Sequence, residues 1–413
     1  MRAGETIAIR KDLRDTVYAA YVHGPETIMR PTRAIIHLEN LKHNIRSVQA
    51  WTAVHSPGPP TVRPKLCIAV KADAYGHGIV ETARAAVECG TEYLAVATVD
   101  EAVQVREAGI ALPLLLYSLP GTTEIPTVIA MRITPLVTDR AYVEALARES
   151  RAQGLRTSCH IKVDTGMGRI GCRPEDAIRL VEAVHSHPEL RLEGISTHYP
   201  MADHEDERYT RDQTARFASL IEDLRTRGVD PGLVHASNSG GVLRFPEGYF
   251  DMVRPGILVY GYYPGSELDR PIDLKPVMEF RSKLVFVKNV APGTAISYGH
   301  TWKSSRDTWI GTVPCGYADG YPRLLSNRAQ VWIDGRRCPV VGAVCMDQFM
   351  IDLGPGPPPE RYTDVILFGP QQDNGGATPP DAAELATLCE TIPYEITCSL
   401  SKRVPRIFTG ELE

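Results

Sequence analysis

The sequence lacks four features that define specialised classes of protein. Its nine cysteines are odd in number and form no CxxC pair, so reduced thiols are expected rather than a disulfide framework. No apolar run approaches the roughly 20 residues that a membrane helix needs, and the first 24 residues lack the long apolar segment of a signal peptide. The formal net charge of −5 argues against a nucleic-acid partner. These absences predict a cytoplasmic enzyme without a membrane partner.

The organisation of the chain follows from its length and its hydrophobic pattern. The 413 residues are enough for two domains. Residues 1–30 have mixed charge and little periodicity, and we interpret them as an N-terminal extension. A short strand is predicted at 33–38, followed by a helix. From there to about residue 265, amphipathic segments of helical length separate short apolar runs at 65–70, 92–98, 112–118, 133–137, 157–164, 192–198, 233–237 and 256–261.

Eight strands that alternate with helices predict an α/β fold, with a (β/α)8 TIM barrel over residues 31–265. A doubly wound open sheet is the alternative, and we favour the barrel because eight units fit this length. Beyond residue 265 the helical periodicity fades, and the apolar runs are broken by glycine and proline. This pattern predicts a mostly β second domain over residues 266–413.

Unusual polar residues lie at the ends of several predicted strands. In "CIAVKADAYGHG", Lys71 ends an apolar run, where an ammonium group must be paired, deprotonated or covalently used. Each such residue alone has an ordinary structural explanation, such as a lysine that reaches solvent. Because the C-terminal strand ends of a barrel meet at one mouth, their shared placement predicts an active site there. The other members of this set are Asp164, Thr165, Arg169, His198, Asn238, Ser239 and the segment "VRPG" at 253–256, which would open the last strand.

The chemistry of this set indicates a phosphorylated cofactor. The segment "SNSGG" offers hydroxyl and backbone N–H groups to a phosphate, late in the barrel where phosphate sites are common. A desolvated lysine in the same mouth would hold an aldehyde as a Schiff base. Pyridoxal 5'-phosphate satisfies both requirements. No metal is expected, because the sequence has no HExxH motif, no CxxC motif and no tight carboxylate cluster.

Seven motifs in order resemble those of the alanine racemases, which are fold-type III pyridoxal phosphate enzymes. They are "AVKADAYGHG", "HIKVDTGMGRIG", "VRPGILVYG", "SYGHTW", "CGYADGYPR", "GAVCMDQFMIDL" and "SLSKRVPR", and the resemblance covers residues 33 to 408. It implies a barrel followed by a β domain, in agreement with the hydrophobic pattern. It also implies an isomerase that interconverts L-alanine and D-alanine and supplies D-alanine for peptidoglycan.

The resemblance implies a homodimer with two shared active sites and assigns the groups that act on the amino-acid substrate. Lys71 would carry the cofactor and serve as one catalytic base. Tyr298 would be the other base, supplied by the partner subunit on the opposite face of the cofactor. Arg169 and Met346 would bind the substrate, the latter from across the interface.

The resemblance also assigns residues that hold the cofactor and support the site. Arg254 would face the pyridine nitrogen, and His198 would stack on the ring. The phosphate would be bound by Tyr75, Ser239, Gly256, Ile257 and Tyr394. The supporting residues would be Lys162 (often carbamylated in this family), His235, Asn238, Tyr317, Arg323 and Asp347.

Two other functions remain open on the sequence alone. One is a racemase of broader specificity, for example for serine, or a decarboxylase of the same fold. Arg254 argues against the decarboxylase, since those enzymes usually place a glutamate at the pyridine nitrogen. The other is a non-catalytic pyridoxal phosphate carrier, which would resemble the barrel alone and would not need Tyr298 or Met346.

Overall fold

The computed structural model describes residues 30–57, 63–265, 267–371 and 377–410. The proposed N-terminal extension, apart from Arg30, lies outside these residues. The first elements are strand β1 (Arg33–His37) and helix α1 (Leu38–His55). Among the described residues, no helix is long and apolar enough to cross a membrane.

Eight parallel strands with intervening helices follow. The strands are β2 (Lys65–Ala69), β3 (Tyr93–Val96), β4 (Leu114–Leu116), β5 (Thr134–Val137), β6 (Thr157–Lys162), β7 (Leu190–Ser196), β8 (Leu233–His235) and β9 (Met252–Val253). The helical segments are α2 (Lys71–Tyr75, left-handed after Lys71), α3 (Ile79–Glu88), α4 (Val99–Glu107), α5 (Ile125–Ala130), α6 (Arg140–Gln153), α7 (Pro174–His185), α8 (Arg208–Thr226) and α9 (Ser239–Arg244).

The strand order shows a barrel rather than an open doubly wound sheet. The strands pair in the order β8-β7-β6-β5-β4-β3-β2-β9, so each lies beside its neighbours in sequence except where β2 meets β9. Two backbone hydrogen bonds link β9 back to β8: the N–H of Asp251 donates to the carbonyl of Val234 (2.9 Å), and that of Arg254 donates to Ser237 (2.8 Å). The predicted barrel is confirmed.

The prediction of a last barrel strand at 256–261 is wrong. Ile257–Tyr260 form a 3-10 turn that ends at Gly261, where φ is 92°, and the eighth strand is the earlier segment β9. All four residues of the turn are fully buried. A short apolar run buried on every side has the same sequence pattern in a strand and in a helical turn. Arg254 therefore follows a strand, as the other polar residues do, instead of opening one.

The second domain is mostly β, as predicted. Its elements are β10 (Met278–Lys283), β11 (Phe286–Val290), β12 (Ala295–Ile296), β13 (Trp302–Lys303), β14 (Thr308–Val313), β15 (Gln330–Ile333), β16 (Arg336–Val341), β17 (Phe349–Gly354), β18 (Asp364–Phe368), α10 (Ala382–Leu388), α11 (Pro393–Cys398) and β19 (Arg406–Thr409). Nine strands form one sheet in the order β11-β14-β17-β16-β15-β18-β10-β1-β19, and β12 pairs with β13.

The first strand of the chain lies in this second sheet and not in the barrel. Strand β1 pairs antiparallel with β10 and parallel with β19. The sequence placed residues 33–38 at the start of the barrel segment, because alternation along a chain does not reveal which sheet a strand joins. One buried apolar cluster runs from barrel residues such as Ile68 and Tyr260 to Phe280 on β10, so the two domains share a core.

Candidate active site

A cavity of about 590 Å³ lies at the C-terminal ends of the barrel strands. Its position agrees with the general rule for barrel enzymes. Most of the residues that the sequence assigned to the site line this cavity. They are Lys71, Tyr75, Lys162, Arg169, His198, His235, Asn238, Ser239, Arg254, Gly256 and Tyr394.

The remaining assigned residues do not line the cavity. Ile257 is fully buried beside Gly256. The other five lie on loops of the second domain and are exposed: Tyr298, Tyr317, Arg323, Met346 and Asp347. Tyr298 is the most notable, since 75% of its surface is accessible. A single chain therefore assembles the cofactor side of the predicted site but not the predicted second base.

Lys71 follows β2 at the rim of the cavity. Burial lowers the pKa of its amine, and the positive charge of Arg169 lowers it further. A lysine with a lowered pKa has a larger neutral fraction near neutral pH, and the neutral amine is the form that reacts with carbonyl groups and accepts protons.

The residues after Lys71 adopt an unusual left-handed turn. Four consecutive residues that are not glycine, Ala72–Tyr75, have φ between 52° and 56°. This conformation costs roughly 1–2 kcal/mol per residue, so it persists only where surrounding contacts hold it. The carboxylate of Glu101 accepts the N–H of Ala72 at 2.7 Å. The hydroxyl of Tyr260 donates to the carbonyl of Ala69, just before the lysine, at 2.8 Å.

His77 holds the far end of the turn. Its Nδ1 lies 3.0 Å from the carbonyl oxygens of both Ala74 and Tyr75, so Nδ1 carries a proton and donates. A Cβ on the next residue towards the lysine, Gly76, would lie 2.2 Å from the carbonyl oxygen of Thr397, which leaves room only for glycine. The turn is thus fixed between the barrel and the second domain.

We expect the stability of the protein to fall in mild acid partly through His77. Burial lowers the pKa of this histidine from 6.5 to about 4, so the unfolded chain binds its proton first as the pH falls. The stabilisation is complete above pH 6.5 and is lost as the pH falls towards 4. For one such group, the free energy of unfolding should be about 2 kcal/mol lower at about pH 5 than at about pH 7.5.

The control for this prediction is His77→Asn, whose amide keeps a donor near the position of Nδ1 but does not titrate. Denaturant unfolding at both pH values measures the difference. The difference in the free energy of unfolding between the two pH values should be about 2 kcal/mol smaller in the variant. An unchanged pH dependence would show that His77 is not buried in its neutral form.

Hydroxyl and backbone groups of Ser239 and Gly256 lie together in the cavity that Lys71 also lines. The N–H of Gly256 donates to Oγ of Ser239 at 2.9 Å. A Cβ at Gly256 would lie 2.5 Å from the hydroxyl of Tyr75, so glycine leaves the backbone open at this point. Asn238 caps helix α9 by accepting the N–H of Gly241 at 3.0 Å. These hydroxyl and backbone groups fit the phosphate of pyridoxal phosphate.

Arg254 is a buried guanidinium at the centre of the site. Its NH1 lies 2.6 Å from Nδ1 of His235. Its NH2 donates to the carbonyls of Thr197 (2.8 Å) and Ala236 (2.9 Å) and contacts Nδ1 of His198 at 3.1 Å. Burial lowers the pKa of both histidines well below the usual value, and the guanidinium lowers both further. Both rings are therefore neutral and accept hydrogen bonds from the arginine.

Lys162 ends β6, and Asp164 follows it at the start of the loop that carries Arg169. Asp164 accepts the backbone N–H groups of the next turn, at 2.8 to 3.1 Å, which fixes the loop. Lys162 is buried, and its Nζ has no hydrogen-bond partner among the described residues. Burial lowers its pKa well below the usual value, and Arg254 lowers it further. A buried neutral amine without a hydrogen-bond partner indicates that the amine binds or contacts a further group.

The exposed residues of the second domain lie on loops that bond to each other. The N–H of Tyr317 donates to the carbonyl of Cys345 at 3.1 Å, and the next N–H, that of Ala318, donates to Met346 at 3.0 Å. The hydroxyl of Ser297, beside Tyr298, donates to a carbonyl of the same methionine loop at 2.6 Å. Tyr298, Tyr317 and Met346 are therefore held on one connected surface.

Asp347 has a structural partner. Its carboxylate accepts from NH2 of Arg403 at 2.5 Å, and Nε of the same arginine donates to Asp319 at 2.7 Å. Asp319 is fully buried. The arginine thus ties the "CMDQ" loop to the "GYADG" loop.

Sequence reasoning missed Tyr117, which also lines the cavity. Its ring lies 5.9 Å from the guanidinium carbon of Arg254, and its hydroxyl lies 3.6 Å from Sγ of Cys67. The signal was present, because Tyr117 directly follows β4. It was overlooked because the predicted strand extended to residue 118.

The fold, a barrel followed by a β domain, and the groups at the barrel mouth together define the class of enzyme. Those groups are a desolvated lysine, a buried arginine, and hydroxyl and backbone groups that fit a phosphate. Residues 36–264 match the family described as alanine racemase, N-terminal domain, and residues 277–408 match alanine racemase, C-terminal domain. The alanine racemase of Treponema denticola is 44% identical over 386 residues, covering 93% of this chain and 99% of that protein. That of Halothermothrix orenii is 40% identical, covering 93% and 98%.

Solved structures show the same similarity. An alanine racemase of Clostridium difficile 630 superposes with a TM-score of 0.85 at 33% identity, covering 94% of this chain and 97% of that one. The Bacillus anthracis enzyme with bound L-Ala-P gives 0.83 at 34% identity, with the same coverage. The chain belongs to the alanine racemase family. It is an isomerase of class EC 5.1.1.1 that interconverts L-alanine and D-alanine, which confirms the predicted fold and activity.

Proposed function

We propose that this racemase uses pyridoxal phosphate and works as a homodimer, with Lys71 and the partner subunit's Tyr298 as its two bases. The observation that supports the proposal most is the pairing of a complete cofactor cavity, which contains Lys71, with an exposed Tyr298 outside that cavity. Racemisation needs proton removal from one face of Cα and delivery to the other, and one base on each face provides this.

Residues at the barrel mouth, together with Tyr394 of the second domain, would hold the cofactor. Lys71 would bind the aldehyde carbon, and the cradle of Ser239 and Gly256 would bind the phosphate, with Tyr75, Ile257 and Tyr394 around it. When bound, pyridoxal phosphate supplies an electron-accepting ring that makes the Cα proton of the amino acid more acidic. The rings of Tyr75 and Tyr394 pack against each other at this end of the cavity, with their centroids 5.6 Å apart.

Arg254 would set the protonation of the ring nitrogen. A guanidinium donates hydrogen bonds and accepts none, so a ring nitrogen held against it would keep its lone pair and stay unprotonated. In the described part of the chain, NH1 and NH2 of Arg254 have acceptors, whereas Nε has none. Nε–H and the second N–H of NH1 are therefore the donors left for the ring. An unprotonated ring withdraws electrons less strongly, which favours return of the proton to Cα over side reactions.

Arg169 would bind the substrate carboxylate, and Lys162 would support it. A neutral amine is the form that combines with carbon dioxide to give a carbamate. The buried Lys162, with a strongly lowered pKa and an Nζ without a partner, fits the carbamylated lysine that the family resemblance implies. The carbamate anion would be favourable beside the charges of Arg169 and Arg254, both of which act on this amine.

A second copy of the chain would complete the site. Tyr298, Met346 and Tyr317 are 75%, 52% and 44% exposed on loops that hydrogen bonds hold together. Exposed aromatic and methionine side chains on one rigid surface are typical of protein interfaces. In the proposed dimer this surface covers the partner's barrel mouth. Tyr298 then acts as the second base, and Met346 contacts the substrate with Tyr317 and Arg323 at the channel.

The proposal predicts a specific substrate preference. Purified protein with added pyridoxal phosphate should form D-alanine from L-alanine and the reverse, because the exposed tyrosines narrow the site for a small side chain. Chiral chromatography of a panel with serine and lysine measures the preference. Faster turnover of a larger amino acid would contradict the assigned pocket, and a bound cofactor without any turnover would indicate a carrier.

A further inference from the structure

We propose that His160 and Glu193 are positioning residues that fix the tautomer of His235 and thereby hold Arg254 at the cofactor ring. The inference rests on the proposed role of Arg254 and extends it to the interior of the barrel. His160 lies on β6, Glu193 on β7 and His235 on β8, and Arg254 follows β9. Four neighbouring strands thus carry one chain of polar groups through the barrel interior.

The direction of the first hydrogen bond follows from the guanidinium. NH1 of Arg254 lies 2.6 Å from Nδ1 of His235, and a guanidinium only donates. Nδ1 of His235 must therefore accept, which leaves the single proton of the neutral ring on Nε2. If Nδ1 of His235 carried a proton, its N–H and the N–H of NH1 of Arg254 would point at each other at this distance.

The second hydrogen bond, between His235 and His160, follows from the proton on Nε2 of His235. Nε2 of His235 lies 2.8 Å from Nδ1 of His160, so Nε2–H donates and Nδ1 of His160 accepts. Both side chains are fully buried, and burial lowers the pKa of His160 to about 3. Each ring therefore carries one proton, and His160 holds its proton on Nε2.

Glu193 lies at the end of the chain. Its Oε2 is 3.9 Å from Nε2 of His160, and Nε2 has no hydrogen-bond partner among the described residues. The hydroxyl of Tyr93 donates to Oε1 at 3.0 Å and that of Thr134 to Oε2 at 3.3 Å. At 3.9 Å the carboxylate acts by its charge, which favours the tautomer of His160 whose N–H points towards it.

The backbone beside His160 leaves space for this contact. A Cβ at Gly194 would lie 2.7 Å from Cε1 of His160 and 2.4 Å from the carbonyl oxygen of Leu233. Only glycine therefore lets the histidine ring lie against β7 and reach His235. Packing fixes the ring in place, and the carboxylate sets which nitrogen holds the proton.

Loss of this chain should act on the cofactor through Arg254. Without an acceptor at His160, His235 can move its proton to Nδ1, where it opposes NH1 of Arg254. The guanidinium then leaves its position, and the ring nitrogen is free to gain a proton. A protonated ring favours transamination, in which the amino group of alanine passes to the cofactor and gives one pyruvate and one pyridoxamine phosphate.

The test compares two substitutions of similar size at one position. In His160→Asn, the amide oxygen takes the place of Nδ1 and still accepts from His235. His160→Leu fills the space without an acceptor. Nitrogen-15 spectra of histidine-labelled protein, with and without pyridoxal phosphate, report which nitrogen of His235 carries the proton, and they do so whether or not the enzyme turns over.

The expected result separates the two variants. His235 should keep its proton on Nε2 in the wild type and in His160→Asn, and should populate the Nδ1–H form in His160→Leu. The ratio of pyruvate to D-alanine formed should rise by about tenfold in His160→Leu and should change little in His160→Asn. An unchanged tautomer in His160→Leu, or the same pyruvate ratio in both variants, would overturn the proposal.

Glu193→Gln keeps the test decisive if His160→Leu does not fold. The amide removes the charge that faces Nε2 of His160 and keeps a side chain of nearly the same size and shape, with one carboxylate oxygen replaced by NH2. The tautomer of His235 should shift in the same direction, and the pyruvate ratio should rise. No shift in a folded Glu193→Gln protein would show that the carboxylate does not orient the chain. A shifted tautomer without racemase activity in any form would contradict the proposed function and leave the positioning chain supported.

Discussion

Lys71→Ala should abolish racemisation, with a loss of at least roughly 10³-fold. In the proposed mechanism, the substitution removes both the amine that binds the cofactor and one of the two bases. It should also remove the visible absorbance that pyridoxal phosphate gains when it is bonded to a lysine. Chiral chromatography and absorbance spectra of the purified variant measure both effects. The pocket should still bind the phosphate end of the cofactor, since Ser239 and Gly256 are unchanged.

The matched control is Lys65→Ala, which removes an exposed lysine from the opposite end of the same strand, β2. This variant should keep the activity and the absorbance of the wild type. A Lys71→Ala protein with the full visible absorbance of the holoenzyme would show that another lysine holds the cofactor. Lys162, which lines the same cavity, would then be the first candidate.

The second large effect is expected from Tyr298→Phe. Removal of the hydroxyl should lower racemisation by roughly 10²- to 10⁴-fold, the range for loss of a general acid–base group. The aromatic ring and its contacts remain, and the side chain is 75% exposed, so the unfolding midpoint should not change. In deuterated water, exchange of the Cα hydrogen should slow much more for one enantiomer of alanine than for the other, because only one face loses its base.

Tyr362→Phe is the control for this variant, since Tyr362 is another exposed tyrosine of the second domain outside the assigned site. Its activity should equal that of the wild type. An equal loss of exchange from L-alanine and D-alanine in Tyr298→Phe would contradict the assignment of one base to each face.

The barrel and half of the site were predictable from the sequence because their signals are local. Apolar runs mark the strands, and a polar residue directly after a run marks the barrel mouth; this rule found Lys71, His198 and Ser239. The rule missed Tyr117 where the strand end was placed too late. It also misread Ile257–Tyr260, because burial on all sides removes the periodicity that distinguishes a strand from a helical turn.

Long-range partners were not predictable in the same way. Strand β1 pairs with β10 and β19, more than 200 residues away in sequence, and no local pattern records such pairing. The chain from Arg254 to Glu193 was missed for a related reason: His160 and Glu193 lie within strands, where a polar residue reads as an exception to an apolar run. Only the folded barrel shows that the side chains of His160 and Glu193 lie close together.

The proposed role of Tyr298 is the part of the account that depends on a second copy of the chain. Nothing in the local sequence indicates that an exposed tyrosine of a β domain acts in another subunit's barrel; that assignment came from the resemblance of "SYGHTW" to the family motif. In the single chain the tyrosine lies outside the cavity. The account as a whole therefore depends on the sharing of sites between subunits.

A heterodimer of Lys71→Ala and Tyr298→Phe chains, isolated with two different affinity tags, tests this sharing directly. If each site combines Lys71 of one subunit with the partner subunit's Tyr298, one site of the heterodimer carries both substitutions and the other carries neither. The heterodimer should then have about half of the wild-type activity, while each homodimeric variant is nearly inactive. If both residues act within one chain, every site is damaged, and a heterodimer no more active than the two homodimers would contradict the account.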